Sequence, residues 1–194
     1  MSDGFLHWYR EGWDAARART LLTGLEAHGL RAANPATGLI TAITNGPESW
    51  GEQVPTTQDD LVTAAGLART SEINFQLWLD ADTDVFTRIR RRTGTSVVVL
   101  EFGLDGMTST EQDLVTEAVS SQIQQIRETT VGFVIDRNGI SEDEDWDGVV
   151  LGEPTLFKQW PEVLALRART AAQHPQLASC VGRHEPPLIV YTHR

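Results

Sequence analysis

An α+β fold is what the stretch from Ile73 to Asp136 implies: a mixed sheet built on a three-stranded antiparallel meander, followed by a crossover helix, with helices packed on it. Three observations lead there. Apolar and polar residues alternate with a period of two through three successive runs, the mark of half-buried strands. The runs are rich in β-branched and aromatic residues, which suit a pleated surface. A helix with a capping-box start follows at once, and a short apolar run comes after it.

In the first run Ile73, Phe75, Leu77 and Leu79 share one face, against Asn74, Gln76, Trp78 and Asp80. In the second, Val85, Thr87 and Ile89 oppose Phe86, Arg88, Arg90 and Arg92; in the third, Ser96, Val98, Leu100, Phe102 and Leu104 oppose Thr95, Val97, Val99 and Glu101. Thr93-Gly94 reads as a two-residue hairpin loop, which pairs Arg90 with Val97, Arg88 with Val99 and Phe86 with Glu101. Ala81-Asp82-Thr83 reads as a three-residue loop pairing Trp78 with Phe86 and Gln76 with Arg88. Both loops put like faces together, and a slip of one residue would turn the apolar set to solvent. Thr108 and Glu111 have capping-box spacing, and Val115, Ala118, Val119, Gln122, Ile123 and Ile126 form one stripe behind them. Val131 to Ile135 suits an interior strand.

Before this unit, Phe5 to Arg10 reads as a strand, and Trp13 to His28 as a helix stopped by Gly29. Leu39 to Thr44 reads as a strand, Asn45 to Thr56 as turn-rich chain, and Thr57 with Asp60 as the start of a short helix through Leu67. After it, Val149-Val150-Leu151 reads as a short strand and Pro161 to about Gln173 as a helix. Leu188 to Thr192 makes a last strand. No repeat or low-complexity linker interrupts the chain, so residues 1–194 are expected to form one domain, with residues 45–56 as the place for any seam.

Composition narrows the function classes. The 194 residues include 16 basic and 27 acidic ones, a formal net charge of −11. That charge disfavours nucleic-acid binding and suits a basic protein partner. Met1-Ser2-Asp3 does not open a leader and no apolar run reaches membrane-spanning length, so the expectation is a cytoplasmic protein with no membrane partner. Cys180 is the one cysteine, so no intrachain disulfide framework exists. Lys158 is the only lysine, in a chain whose Ala, Gly and Arg abundance points to a GC-rich codon bias.

Two candidate sites emerge. Arg88, Arg90 and Arg92 lie on one face of the middle strand at about 6.8 Å spacing, beside Trp78, and are candidates for holding a phosphate or carboxylate ligand. Their expected neighbours supply no acid. The second candidate is the acidic run Glu142, Asp143, Glu144, Asp145 and Asp147, read as a surface for a basic partner. Within it, Asp143, Asp145 and Asp147 before Gly148 have the alternation of a calcium loop, but Pro154 stands where the bidentate acid belongs. A solvated acidic turn is the better reading, and no metal or cofactor is expected.

Weaker patterns fail on spacing or chemistry. Cys180, His184 and His193 with His174 fit no zinc spacing, and nothing marks Cys180 as an activated thiol. Gly46-Pro47-Glu48-Ser49-Trp50-Gly51 fails as a nucleophile elbow because Pro47 stands where Gly is needed. The order of elements is shared with an acetyltransferase core, and Gly103-Leu104-Asp105-Gly106-Met107 sits where such a core binds pyrophosphate. The basic signature is missing there and Asp105 would repel phosphate. The sequence therefore points first to an acidic interaction protein, possessing no identified catalytic residue and acting as an inhibitor or immunity-type antagonist of a basic partner. The alternative is a small-ligand domain or transferase-like enzyme using the Arg88/Arg90/Arg92 face.

Overall fold

The structure, a computed structural model, describes residues 4–46 and 49–193. Met1-Ser2-Asp3, and Pro47 and Glu48 of the elbow-like stretch, lie outside the described residues. The chain runs β1 (Phe5–Arg10), α1 (Ala15–Ala27), β2 (Ile40–Ile43), β3 (Gln53–Thr56), α2 (Gln58–Ala65), β4 (Glu72–Trp78), β5 (Asp84–Arg91), β6 (Val98–Gly103) and α3 (Ser109–Gln125). It continues with β7 (Thr130–Asp136), α4 (Trp146–Leu151), β8 (Val163–Arg167), α5 (Ala168–Ala171), β9 (Arg183–Glu185) and β10 (Leu188–Thr192).

All ten strands join one sheet in the order β3-β2-β4-β5-β6-β1-β7-β8-β10-β9. The expected mixed sheet is corrected: every neighbouring pair is antiparallel. The reason is the place of β1. Helix α3 carries the chain from β6 to β7, which run the same way, but β1 from the far end of the sequence fills the gap between them. No strand therefore lies beside a parallel neighbour.

Side chains on the two faces build two large cores and a small third one of Ala165, Leu188 and Val190. On one face, Leu6, Trp8, Phe75, Leu77, Ile89, Leu100 and Phe102 meet the apolar sides of α1, α2 and α3. The start of α1 is capped by Asp14, which accepts from the Arg17 amide at 2.8 Å. Thr57 caps α2 through the Asp60 amide, and Thr108 and Glu111 form the reciprocal capping box of α3. Trp13 ties α1 to α2 by donating its indole N–H to the Ala65 carbonyl at 2.7 Å. On the other face, Tyr9, Val99, Val134, Leu164 and Leu166 pack beneath Trp146, Val149, Val150 and Phe157.

Both hairpins differ from the expected register by two residues. Arg90 faces Val99 and Arg88 faces Glu101, while Gln76 faces Phe86 and Trp78 faces Asp84. Thr95 donates its hydroxyl to the Arg92 carbonyl, and the Arg92 amide bonds to Val97, so four residues rather than two make the second loop. In the first, Asp80 accepts from the amides of Asp82 and Thr83, and the Leu79 amide bonds to the Thr83 carbonyl at 3.0 Å, so the three-residue loop is Asp80-Ala81-Asp82, one position earlier than expected. A shift of two keeps every side chain on its face but changes its partners.

Three further expectations fail. Val149-Val150-Leu151 is helical, because Asp145 caps α4 through the Gly148 amide and Gly152 closes it in the left-handed region at φ 79°. Val163–Arg167 is strand rather than helix, with only Ala168–Ala171 helical after it; Leu164, Ala165 and Leu166 are buried inside the sheet, where a continuous apolar run is at home. The turn-rich stretch 45–56 holds β3, an exposed edge strand carrying Pro55. Among the described residues, no helix is long and apolar enough to cross a membrane.

Candidate functional site

The face of the sheet that carries α4 is only partly covered. Helices α4 and α5 pack over β7, β8 and β10. Toward the other edge, β2, β4 and β5 present Ile43, Asn74, Gln76, Trp78, Phe86 and Arg88 on that same face. Ile43, Trp78 and Phe86 belong to none of the hydrophobic cores, and Phe86 is 44% exposed. The flanking Asn74 and Gln76 are nevertheless buried among these larger neighbours. Asn74 Oδ1, Gln76 Oε1, Trp78 Nε1 and Arg88 Nε are all buried and have no hydrogen-bond partner. Gln76 spends its amide on Asp84 Oδ2 at 2.8 Å.

Beside this patch the two candidate sites of the sequence meet each other. Arg90 forks onto Asp147, with Nη1 donating to Oδ2 at 2.8 Å and Nη2 to Oδ1 at 2.9 Å, while its Nε donates to Glu101. Tyr9 donates its hydroxyl to the same Asp147 at 3.0 Å. Arg92 reaches Asp147 at 3.4 Å and Glu153 at 3.3 Å, and Arg88 binds Glu72 with Glu101 at 3.7 Å. Three guanidiniums thus meet Glu72, Glu101, Asp147 and Glu153. The expectation that the arginine row lacks acidic neighbours is corrected, because the two-residue shift brings Glu101 opposite Arg88 and α4 delivers Asp147.

Burial would raise the Asp147 carboxyl, but hydrogen bonds and charge from Arg90, with help from Tyr9 and Arg92, outweigh it and hold it below the usual carboxylate range. Glu72 behaves alike: burial opposes and Arg88 and Asn45 prevail, so its pKa is lowered. Burial, then the nearby Asp147 charge, pushes the Tyr9 hydroxyl well up. Burial lowers the pKa of His7, which stands next to Glu101 on this face, and its Nδ1 has no partner.

The acidic run is divided among structural tasks. Asp145 caps α4, Glu144 accepts from the amides of Lys158 and Gln159 at 2.9 and 2.8 Å, and Asp147 turns inward to Arg90. Glu142 and Asp143 are exposed. The calcium-loop arrangement of Asp143, Asp145 and Asp147 is therefore broken by the helix that starts in its middle. Asp136 is likewise taken, by Ser141 and Asn138. Among the described residues, no group of three or more His, Cys, Asp or Glu side chains is placed to hold a metal ion. His174 is buried against the Val149 carbonyl, His193 stacks on Trp160, and Cys180 donates to the Gln176 carbonyl, so these residues serve separate local contacts. At the start of α3, the Thr108 and Glu111 amides are satisfied by the capping box rather than left for a phosphate.

One signal in the sequence pointed to α4. Asp145 and Gly152 bracket six residues, a cap at one end and a left-handed glycine at the other. The β-branched pair inside favoured strand and concealed it.

No family model matches the chain, and no curated protein matches it. Among solved structures, similarity is found to a chain of the crystal structure of the toxic C-terminal tip of CdiA from Pseudomonas aeruginosa in complex with immune protein. The TM-score is 0.35 and the identity 13%, over 73% of this chain and 92% of that one. A likeness at that level carries no argument about function.

Proposed function

We propose that the chain acts as a single α+β interaction protein in the cytoplasm, holding a protein partner on the uncovered β2-β4-β5 face in the manner of an inhibitor or immunity-type antagonist. The observation that carries this reading is the face itself: Phe86, 44% exposed, stands with Ile43 and Trp78 outside every hydrophobic core, beside Asn74, Gln76 and Arg88. Aromatic anchors beside hydrogen-bonding groups are the composition of an interface centre.

The net charge of −11 favours a basic partner, since complementary charge speeds association and discriminates against acidic surfaces. Glu142 and Asp143, exposed at the acidic run, would contribute to that steering, and nucleic acid is disfavoured by the same charge. The competing small-ligand or transferase-like reading is weakened, because the arginine row it needs is already matched by carboxylates.

The test is affinity capture from the native host with the parent protein and the Phe86→Asp variant, each at low and moderate salt. The expected result is a basic partner held by the parent, weakened by salt, and lost from a Phe86→Asp protein of unchanged melting temperature. Equal capture of that partner by both proteins would remove the face from the interface.

A further inference from the structure

On the opposite face of the sheet, at the far end of β1, lies a positively charged side chain with no acid to match it. A register shift between Tyr9 and Arg10 places Arg10 opposite Thr130 and leaves Val131 as an extra residue. Such bulges re-aim side chains and often border functional sites. Arg10 follows Leu6 and Trp8 onto the side covered by α1 and α3, and it is only 2% exposed. Its guanidinium lies between the rings of Trp8 and Trp13, 4.9 Å from each centroid. Nη2 makes one long hydrogen bond to Thr129 Oγ1 at 3.4 Å, while Nε and Nη1 have no partner.

Buried charges in proteins are ordinarily paired or hydrogen-bonded throughout. The two indole faces offset part of the cost but supply no counter-charge. The acid nearest in influence, Asp14, is shared with Arg17, and Arg17 itself adds repulsion. Arg10 also lines a cavity of about 510 Å3 between α1 and the C-terminal end of α3. Arg17, Arg127, Thr20, Gln125 and Glu128 lie around it. Arg127 is paired with Glu185 at 3.0 Å.

We infer that this cavity binds a small oxyanion, a carboxylate or phosphate group, which supplies the charge that Arg10 lacks, with Arg17 and Arg127 at the rim. Three features carry it: an unmatched buried guanidinium, a donor-rich lining, and a volume in the range of small-molecule sites. The cavity is larger than one phosphate, so the anionic group is one end of a metabolite-sized molecule. Glu128 on the same rim would oppose a polyanion. This site is separate from the partner-binding face and stands without it.

Inorganic phosphate and succinate, titrated at constant ionic strength against chloride, test the inference. The readout is the NMR signals of the Trp8 and Trp13 indole N–H groups. One anion should give a saturable shift. Phosphate alone would mark a phosphorylated ligand and succinate alone a carboxylate. Loss of a charge-assisted contact should weaken binding roughly tenfold in an Arg17→Gln/Arg127→Gln protein and more in Arg10→Gln. No saturable shift with either anion, or Arg10→Gln binding like the parent, would overturn it. Should Arg10→Gln fail to fold, unchanged affinity in the double variant overturns it equally.

Discussion

Replacing Asp147 by Asn tests whether the meeting of α4 with the arginine row holds the protein together. The carboxylate accepts two bonds from Arg90 and one from Tyr9, and its side chain is 15% exposed against 20% for Arg90. Breaking a fully buried ion pair from one side costs about 3–5 kcal/mol. Here Arg90 keeps Glu101 and some solvent, so the expected loss is about 2–3 kcal/mol. For a chain of this size that corresponds to a melting temperature lower by about 4–12 °C. Urea denaturation of Asp147→Asn, Arg90→Gln and the double variant should return a coupling energy of roughly 1–3 kcal/mol.

The pH dependence has a definite sign. The folded-state pKa of Asp147 is lowered, so its stabilisation is complete above the unfolded value of about 3.9. It is then lost as pH falls through the folded value. The gap between parent and Asp147→Asn should therefore persist from neutral pH down to about 4 and close below it. A gap under about 0.5 kcal/mol at neutral pH, the size of an exposed pair, would show that the cluster is solvated and does not fix α4.

Gly132→Ala would set a Cβ 2.5 Å from the Ala165 carbonyl oxygen and 2.8 Å from Val150, so a loss of about 1–3 kcal/mol in urea denaturation is expected; a neutral result would mean α4 does not press on β7. Asp145→Ala should lose about 1 kcal/mol as the α4 cap disappears, and calcium should leave the melting temperature of parent and variant alike unmoved. Stabilisation by calcium that depends on Asp145 would reverse the assignment of that residue. Burial lowers the pKa of His7 in the folded state, although Glu101 partly opposes this. The unfolded chain therefore takes up the proton first, near pH 6.5, and stability should fall as pH drops below that value. Removing the group with His7→Gln should flatten this slope between about pH 7 and 5, and an unaltered slope would place its origin elsewhere.

Local chemistry explains what could be read early. Thr108 and Glu111 are three residues apart, and the capping box they form needs nothing from the rest of the molecule. The alternation through Ile73–Leu104 likewise assigns faces, because side chains on a strand have only two directions to take. That is why Arg88 and Arg90 lie opposite Ile89 in facing even though both hairpins pair two residues away from the expected register. Loop position and length are less local: Asp80 and Thr95 capture backbone groups with their side chains, and several loops of similar composition satisfy the same two faces.

Sequence alone determined the charge of −11, the helix starts at Thr57 and Thr108, and the sorting of the central strands into two faces, since each depends on composition or on residues within one turn of one another. Only the tertiary structure decided that β1 enters between β6 and β7 and abolishes parallel pairing. It also decided that Asp147, 57 residues from Arg90, consumes the charge of the arginine row. Both outcomes come from packing between segments far apart in the chain, where buried surface and charge matching select one arrangement among many that local preferences allow.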